Sequence, residues 1–358
     1  MKKACCICFG FFLIPFLNFA QGRLLTQGNP YSISPSLSSI RPCQALPSFL
    51  SIRDILVGPK GEKYLASKRK GIIQIQDCSD DIGSNAVVES AFALTLSPRQ
   101  EVWGALAPNR LLNMSSGEEI LVNSLADELY INFLFFHQDL IWIGSIRHGL
   151  QILKGNGRPL SPNDPRQQFS KSLLAAQVKE VNDYYLDAQG KVWLATDQGI
   201  FIVEANLKDM QVLPFTKGKY FKAICGADTQ VWASSFGELW KIKADRSLAD
   251  QVDLNRELGS IEDLLLAPDQ QLWIAADVLA VYHPDVRQSN KKLDIYDNQS
   301  GFKSRKALSL ALDQDNTLWV GTSGSGVYTI QHAVNNPLEV SNISVFSQDN
   351  EALNATRV

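Results

Sequence analysis

Histidine and cysteine are scarce in this chain, with four His and six Cys in 358 residues. The histidines (His137, His148, His283 and His332) form no His-Glu-x-x-His pair, so helix-borne metal catalysis lacks its ligands. No Gly-x-Ser-x-Gly elbow and no helix-opening Gly-x-Gly-x-x-Gly occurs, which removes the α/β-hydrolase and dinucleotide arrangements. A basic excess is also missing: Lys and Arg total 34 against 37 Asp and Glu, a net charge of −3. That balance argues against nucleic acid or an anionic membrane surface as partner. No apolar run beyond the N-terminus approaches a membrane span, since "INFLFFHQDLIWIG" is interrupted by His137, Gln138 and Asp139. No long helical pattern is readable either.

The one sustained apolar stretch opens the chain. "MKKACCICFGFFLIPFLNFAQG" has Lys2 and Lys3, an apolar segment from Ala4 to about Leu17, and Ala20 as a cleavage residue. This is the layout of a secretory signal over residues 1–20, with a retained membrane anchor as the alternative. Cys5, Cys6 and Cys8 lie inside or before the apolar segment, so the lipoprotein reading fails. Removal of the segment leaves Cys43, Cys78 and Cys225, none in Cys-x-x-Cys spacing. A Cys43–Cys78 bridge is open in an oxidising compartment. Export to the periplasm is the expected location.

What is abundant is repetition. Seven segments align on a central aromatic: Tyr64, Trp103, Trp142, Trp193, Trp232, Trp273 and Trp319. Their spacings are 39, 39, 51, 39, 41 and 46 residues, and of the seven Trp only Trp240 is out of register. "ALDQDNTLWVGTSGSGVYTI" (Ala311–Ile330) is the cleanest copy. An apolar strand ends at Asp or Pro, a polar turn follows, then the Trp strand, a short turn and a third strand. A further β-like piece lies between copies, such as Met210–Phe215 or Leu293–Asp297. Four short strands at a period near forty describe a propeller blade, whose faces are buried only by stacking on neighbouring blades.

The expectation is therefore an all-β, seven-bladed β-propeller of four-stranded antiparallel blades over residues 51–347. A Ser- and Pro-containing extended segment precedes it at 21–50, and 348–358 reads as the start of a linker or further repeat. Blade seven would take its outer strand from Glu339–Phe346, or the ring would be locked by part of Leu24–Ile33. The aligned aromatics are expected to fill the wedges between blades, each indole N–H bonding an adjacent carbonyl. Gly71, Gly149, Gly199, Gly237 and Gly326 suit turns with positive φ. Asp187, Asp313 and Asp315 are expected to cap turns through backbone bonds.

These copies resemble the two-component regulator propeller repeat, most closely in "LALDQDNTLWVGTSGSGVYTI" and "YLDAQGKVWLATDQGIFIV". The likeness covers about Ile52 to Phe346. Blades one, two, five and six depart from the pattern: Pro59, Pro98 and Pro268 replace or displace the Asp, and "IAAD" replaces "IGT". The resemblance implies a periplasmic sensor region of a hybrid two-component receptor that recognises a glycan or other small molecule without catalysis. Further propeller or kinase modules would belong to a longer gene product, and a homodimer is compatible with signalling. The repeat also resembles the streptogramin-lyase type of propeller, which keeps a lyase or glycan-cleaving enzyme open, with His148 the one candidate histidine. A protein-interaction scaffold is the third reading. No cofactor and no metal site is expected.

Blade geometry places the turns between second and third strands on the same face as the links between blades, around one mouth of the axial channel. The candidate ligand-binding residues on those turns are Arg69, Arg110, Arg147, His148, Asp197, Gln198 and Asp277, with Lys68, Asn109 and Ser323 beside them. "SIRHG" (Ser145–Gly149) is the most unusual of these turns, and its Arg and His would suit a carboxylated or polyhydroxylated ligand.

Overall fold

The computed structural model describes residues 50–75, 89–122, 130–227, 230–284, 292–331 and 333–334. It also places the backbone of three short strands, Asn18–Ala20, Arg23–Leu25 and Ile343–Phe346. Cys43, Cys78, His332, most of the expected signal segment and residues 348–358 lie outside the described residues.

The fold is the seven-bladed β-propeller that the repeat predicts. Seven antiparallel sheets follow one another in chain order. Their inner strands are Ile52–Val57, Ala91–Leu96, Ile131–His137, Val181–Leu186, Ala223–Ala227, Asp263–Leu266 and Ala307–Leu312. Blades two and four to seven have four strands; blades one and three have three among the described residues. The outer strand of blade seven is Ile343–Phe346, paired with Val327–Ile330, so the first closure expected from the sequence holds. The ring closes where the Leu50 carbonyl accepts from the Gly324 and Gly326 amides of blade seven, at 3.1 and 3.0 Å.

The spacing of 51 residues between Trp142 and Trp193 marks a local departure. Blade three leaves its third strand, Gly149–Lys154, for a nine-residue helix, Gln167–Ala175. The helix buries Phe169 and Leu173 in the wedge toward blade four, and Phe169 stacks on Trp142 with ring centroids 6.3 Å apart. A short amphipathic helix was not legible against the strand pattern around it.

The core is divided among the wedges. Seven clusters of buried residues each join two neighbouring blades, and each contains one aligned aromatic: Tyr64, Trp103, Trp142, Trp193, Trp232, Trp273 or Trp319. Trp142, Trp232 and Trp273 are among the largest fully buried side chains. Truncation of such a ring typically costs about 3–5 kcal/mol, so each wedge is a substantial part of the stability. Trp240, out of register, packs in the blade four–five wedge between Phe215 and Phe221.

The indole N–H groups follow a different rule from the one expected. Trp193 Nε1 donates to Asp187 Oδ2 at 3.0 Å and Trp319 Nε1 to Asp313 Oδ2 at 2.8 Å, carboxylates rather than carbonyls. The other oxygen of each Asp accepts two turn amides, from Gln189 and Lys191 or from Asp315 and Thr317. One carboxylate six residues before the Trp thus ties the turn to the wedge. Trp103, Trp232 and Trp273 have Ser97, Gly226 and Ala267 at that place, and their indole nitrogens have no partner among the described residues. Asp187 and Asp313 are turn caps as expected.

A second set of aspartates locks the blades to one another at the axis. Asp54 and Asp183 each sit third in an inner strand, and Asp263 opens its own at the equivalent place. Each accepts the next residue's amide with Oδ1, from Ile55, Tyr184 and Leu264, at 2.8 Å. Oδ2 crosses to the following blade and accepts from Leu94, Ile224 and Leu310 at 2.8, 2.8 and 2.7 Å. Innermost strands are sheet edges, so these amides would otherwise face the channel unpaired. Asn132 and Asn182 add crossings from blade three to four and from four to five, through Val181 O at 3.2 Å and Phe221 O at 2.8 Å.

Candidate functional site at the channel mouth

The turns between second and third strands do lie beside the links between blades. Lys68 N bonds Ser51 O, Ile146 N bonds Tyr130 O, Ala307 N bonds Ala276 O and Ser323 N bonds Lys306 O. All predicted turn residues therefore share one face. Most are not presented as a site. Arg110 is held between Glu89 and Glu119, with its bond to Glu119 at 2.8 Å. Asp197 accepts from the Lys179 and Glu180 amides at 3.1 and 3.3 Å, clasping the link into blade four. Gln198 N bonds Thr196 Oγ1, and Asp277 lies 3.7 Å from Lys306 Nζ. Arg69, Arg147 and His148 are exposed on their turns. None of the seven lines the axial cavity.

Glycine behaves as expected at four of the five turns, with φ of 68°, 62°, 128° and 70° at Gly71, Gly149, Gly199 and Gly326. Gly237 is the exception. The positive φ there belongs to Phe236, at 53°, while Gly237 is required because a Cβ would meet Asn255 Cα at 2.4 Å. In "SIRHG", Arg147 itself adopts φ of 72°. A large aromatic held in the left-handed region is uncommon and stores strain. Phe236 is 62% exposed and stacks on Tyr220, centroids 5.2 Å apart. Burial, with the nearby Glu180 and Glu262 carboxylates, pushes the Tyr220 hydroxyl up to about 12.

The cavity itself occupies about 150 Å³ at the axis. Every blade contributes to its wall through the second residue of its inner strand or that residue's equivalent: Arg53, Phe92, Asn132, Asn182, Lys222, Glu262 and Leu308. Tyr130, Phe133, Leu134, Tyr184, Ser309, Ile146 of the "SIRHG" turn and the axial aspartates are also in the wall. One arc, from blades two and three, is aromatic, with Phe92 edge-on to Tyr130 at 5.7 Å. The opposite arc is polar, and Lys306 Nζ reaches Glu262 at 2.6 Å beside it. A volume near 150 Å³ suits a group of benzene size and falls below that of a whole drug-sized ligand. The ring lies outside the Trp-strand pattern that marks the blades. Its signal is the residue before the inner-strand Asp in "IRD", "VND" and "IED".

The described histidines stand elsewhere. His283 pairs with Asp294 at 2.7 Å and His148 occupies its exposed turn. His137 ends the inner strand of blade three, where burial pushes its imidazole below the ordinary value. No group of three or more potential metal ligands occurs among the described residues. No helix among them is long and apolar enough to cross a membrane.

No protein-family model and no curated protein matches the chain. Solved structures do. An extracellular domain assigned to hybrid two component system BT4673 from B. thetaiotaomicron matches with a TM-score of 0.57 and 16% identity, over 79% of this chain and 38% of that one. Virginiamycin B lyase from Staphylococcus aureus matches with a TM-score of 0.56 and 15% identity, over 79% of this chain and 97% of that one. A streptogramin B lyase structure gives a TM-score of 0.59 at 12% identity, over 80% of this chain and 94% of that one. The chain thus spans less than half the length of that extracellular domain and nearly all of the lyases. Its fold is the propeller fold found in extracellular domains of hybrid two component systems and in streptogramin-type lyases alike.

Proposed function

We propose that this propeller is an exported, non-catalytic ligand-binding module that reads a glycan or other small molecule at its channel mouth for a signalling receptor. The supporting observation is the ring of seven inner-strand side chains. Elsewhere the repeat is uniform, with an aromatic in each wedge. At the ring, every blade but one neighbouring pair differs: Arg53, Phe92, Asn132, Asn182, Lys222, Glu262 and Leu308. Packing gains nothing from such variety, whereas an asymmetric ligand requires it. Signal output would come from a ligand binding two arrangements of the receptor unequally, through further modules or a dimer partner.

The lyase reading is favoured by the TM-score of 0.59 to streptogramin B lyase. Against it stands the placement of His137, His148 and His283 away from the cavity wall. Calorimetric titration against a panel of oligosaccharides and small metabolites, with parallel product analysis, separates the two. Saturable one-to-one binding without turnover is expected. Conversion of any bound compound would replace the sensor reading by the enzymatic one.

A further inference from the structure

An odd ring cannot be tiled by pairs, and the axial aspartates work in pairs of blades. Asp54 serves blades one and two, Asp183 blades four and five, and Asp263 blades six and seven. Blade three is left over. Its residue at the capped position is Leu134, which pairs with Ile143 as Tyr184 pairs with Leu194 in blade four. Phe133 stands where Asp183 stands, filling the space over Gly144, where a Cβ would meet its ring at 2.1 Å. No described side chain caps the Leu134 amide, and Leu134 lines the cavity. Ser309 lines it too, but its hydroxyl, without a partner among the described residues, is buried against Gly321.

The charges of the wall are equally uneven. Asp54, Asp183 and Asp263 each accept two backbone amides, and Glu262 is paired with Lys306. Arg53 and Lys222, in blades one and five, have no ion-pair partner among the described residues. What the cavity has left to offer is donors. One amide and two cations around a volume near 150 Å³ suit a small group of acceptor oxygens, with the Phe92–Tyr130 edge for its apolar body.

We infer that the cavity binds a carboxylate end group, received by the Leu134 amide and charge-matched by Arg53 and Lys222. This rests on the reading of the channel mouth as the ligand site and names the ligand's class. Benzoate and its neutral, equally shaped partner benzamide are suitable probes, followed by amide NMR of labelled protein at low salt. Benzoate is expected to shift the Leu134 and Ser309 amides and to bind about tenfold more tightly than benzamide. Arg53→Gln and Lys222→Gln, both at accessible side chains, should each remove most of that difference and leave benzamide unaffected. Equal binding of the two probes, or insensitivity to both substitutions, would overturn the carboxylate assignment while keeping the cavity as a site. Absence of any shift at the cavity amides with either probe would overturn the assignment, and the oligosaccharide panel would still test the broader reading separately.

Discussion

Removal of the Asp263 carboxylate is the sharpest test of how the ring is held. Its oxygens accept from Leu264 at 2.8 Å and, across the blade boundary, from Leu310 at 2.7 Å. The residue is buried, so both bonds are charge-assisted and poorly screened. Each such bond contributes about 1.5–3 kcal/mol. In Asp263→Ala both amides turn toward a cavity that can admit water, which recovers part of the loss. The net cost is therefore set at about 3 kcal/mol, with Asp263→Asn, which keeps one acceptor, near half of that. Urea unfolding at neutral pH reads the difference directly. Asp250, on the exposed outer strand of blade five, supplies the control, and Asp250→Ala should stay within about 0.5 kcal/mol. If Asp263→Ala destabilised no more than this control, the axial carboxylates would not be what joins the blades.

Further expectations follow from the same geometry. Asp54→Ala and Asp183→Ala should each resemble Asp263→Ala, and their effects should add within about 0.5 kcal/mol because each serves a different pair of blades. Asp313→Ala should cost about 2 kcal/mol by thermal unfolding, since it releases the Trp319 indole and two turn amides, whereas Asp315→Ala should be near neutral. For Tyr220 the folded hydroxyl titrates near 12 against about 10 unfolded. The folded state thus holds this proton more tightly. Its contribution, measured against Tyr220→Phe, should be whole below pH 10 and vanish as pH rises through 12. A difference absorbance titration at high pH checks this, and Glu180→Gln should lower the midpoint. Gly144→Ala should destabilise by about 2 kcal/mol or more, because its Cβ would overlap Phe133.

The sequence reveals the blades because their signal is local. A Trp strand flanked by turn chemistry recurs every forty residues or so, and wedge packing demands the same large ring each time. Even the interruption at blade three is visible as a spacing of 51, although the helix that causes it is not. The axial cavity has no such local signal, because it is assembled across the ring rather than along the chain. Arg53 and Glu262 are 209 positions apart, and both face one cavity only because the seven inner strands converge. The turns selected from the sequence lie beside the links between blades, whereas the axial cavity takes most of its wall from the inner strands. Arg110 and Asp197 have chemistry suited to a ligand, yet it is engaged by Glu89, Glu119 and the Lys179–Glu180 backbone. The aspartates in "IRD", "VND" and "IED" carry no turn signature that would set them apart in the sequence. Phe236 has no signal either, because an aromatic is not expected in a turn with positive φ.

The central claim, that recognition happens at the axis and not on the outer turns, is tested most directly by plugging the cavity. Leu308→Trp would place an indole in the channel from blade seven, while Arg147→Ala with His148→Ala strips the exposed turn of blade three. Calorimetry with the tightest ligand of the oligosaccharide and metabolite panel should show binding abolished by Leu308→Trp and nearly unchanged in the double variant, both with cooperative unfolding retained. Binding that survives the plug and disappears with Arg147 and His148 would move the site to the rim and contradict the account.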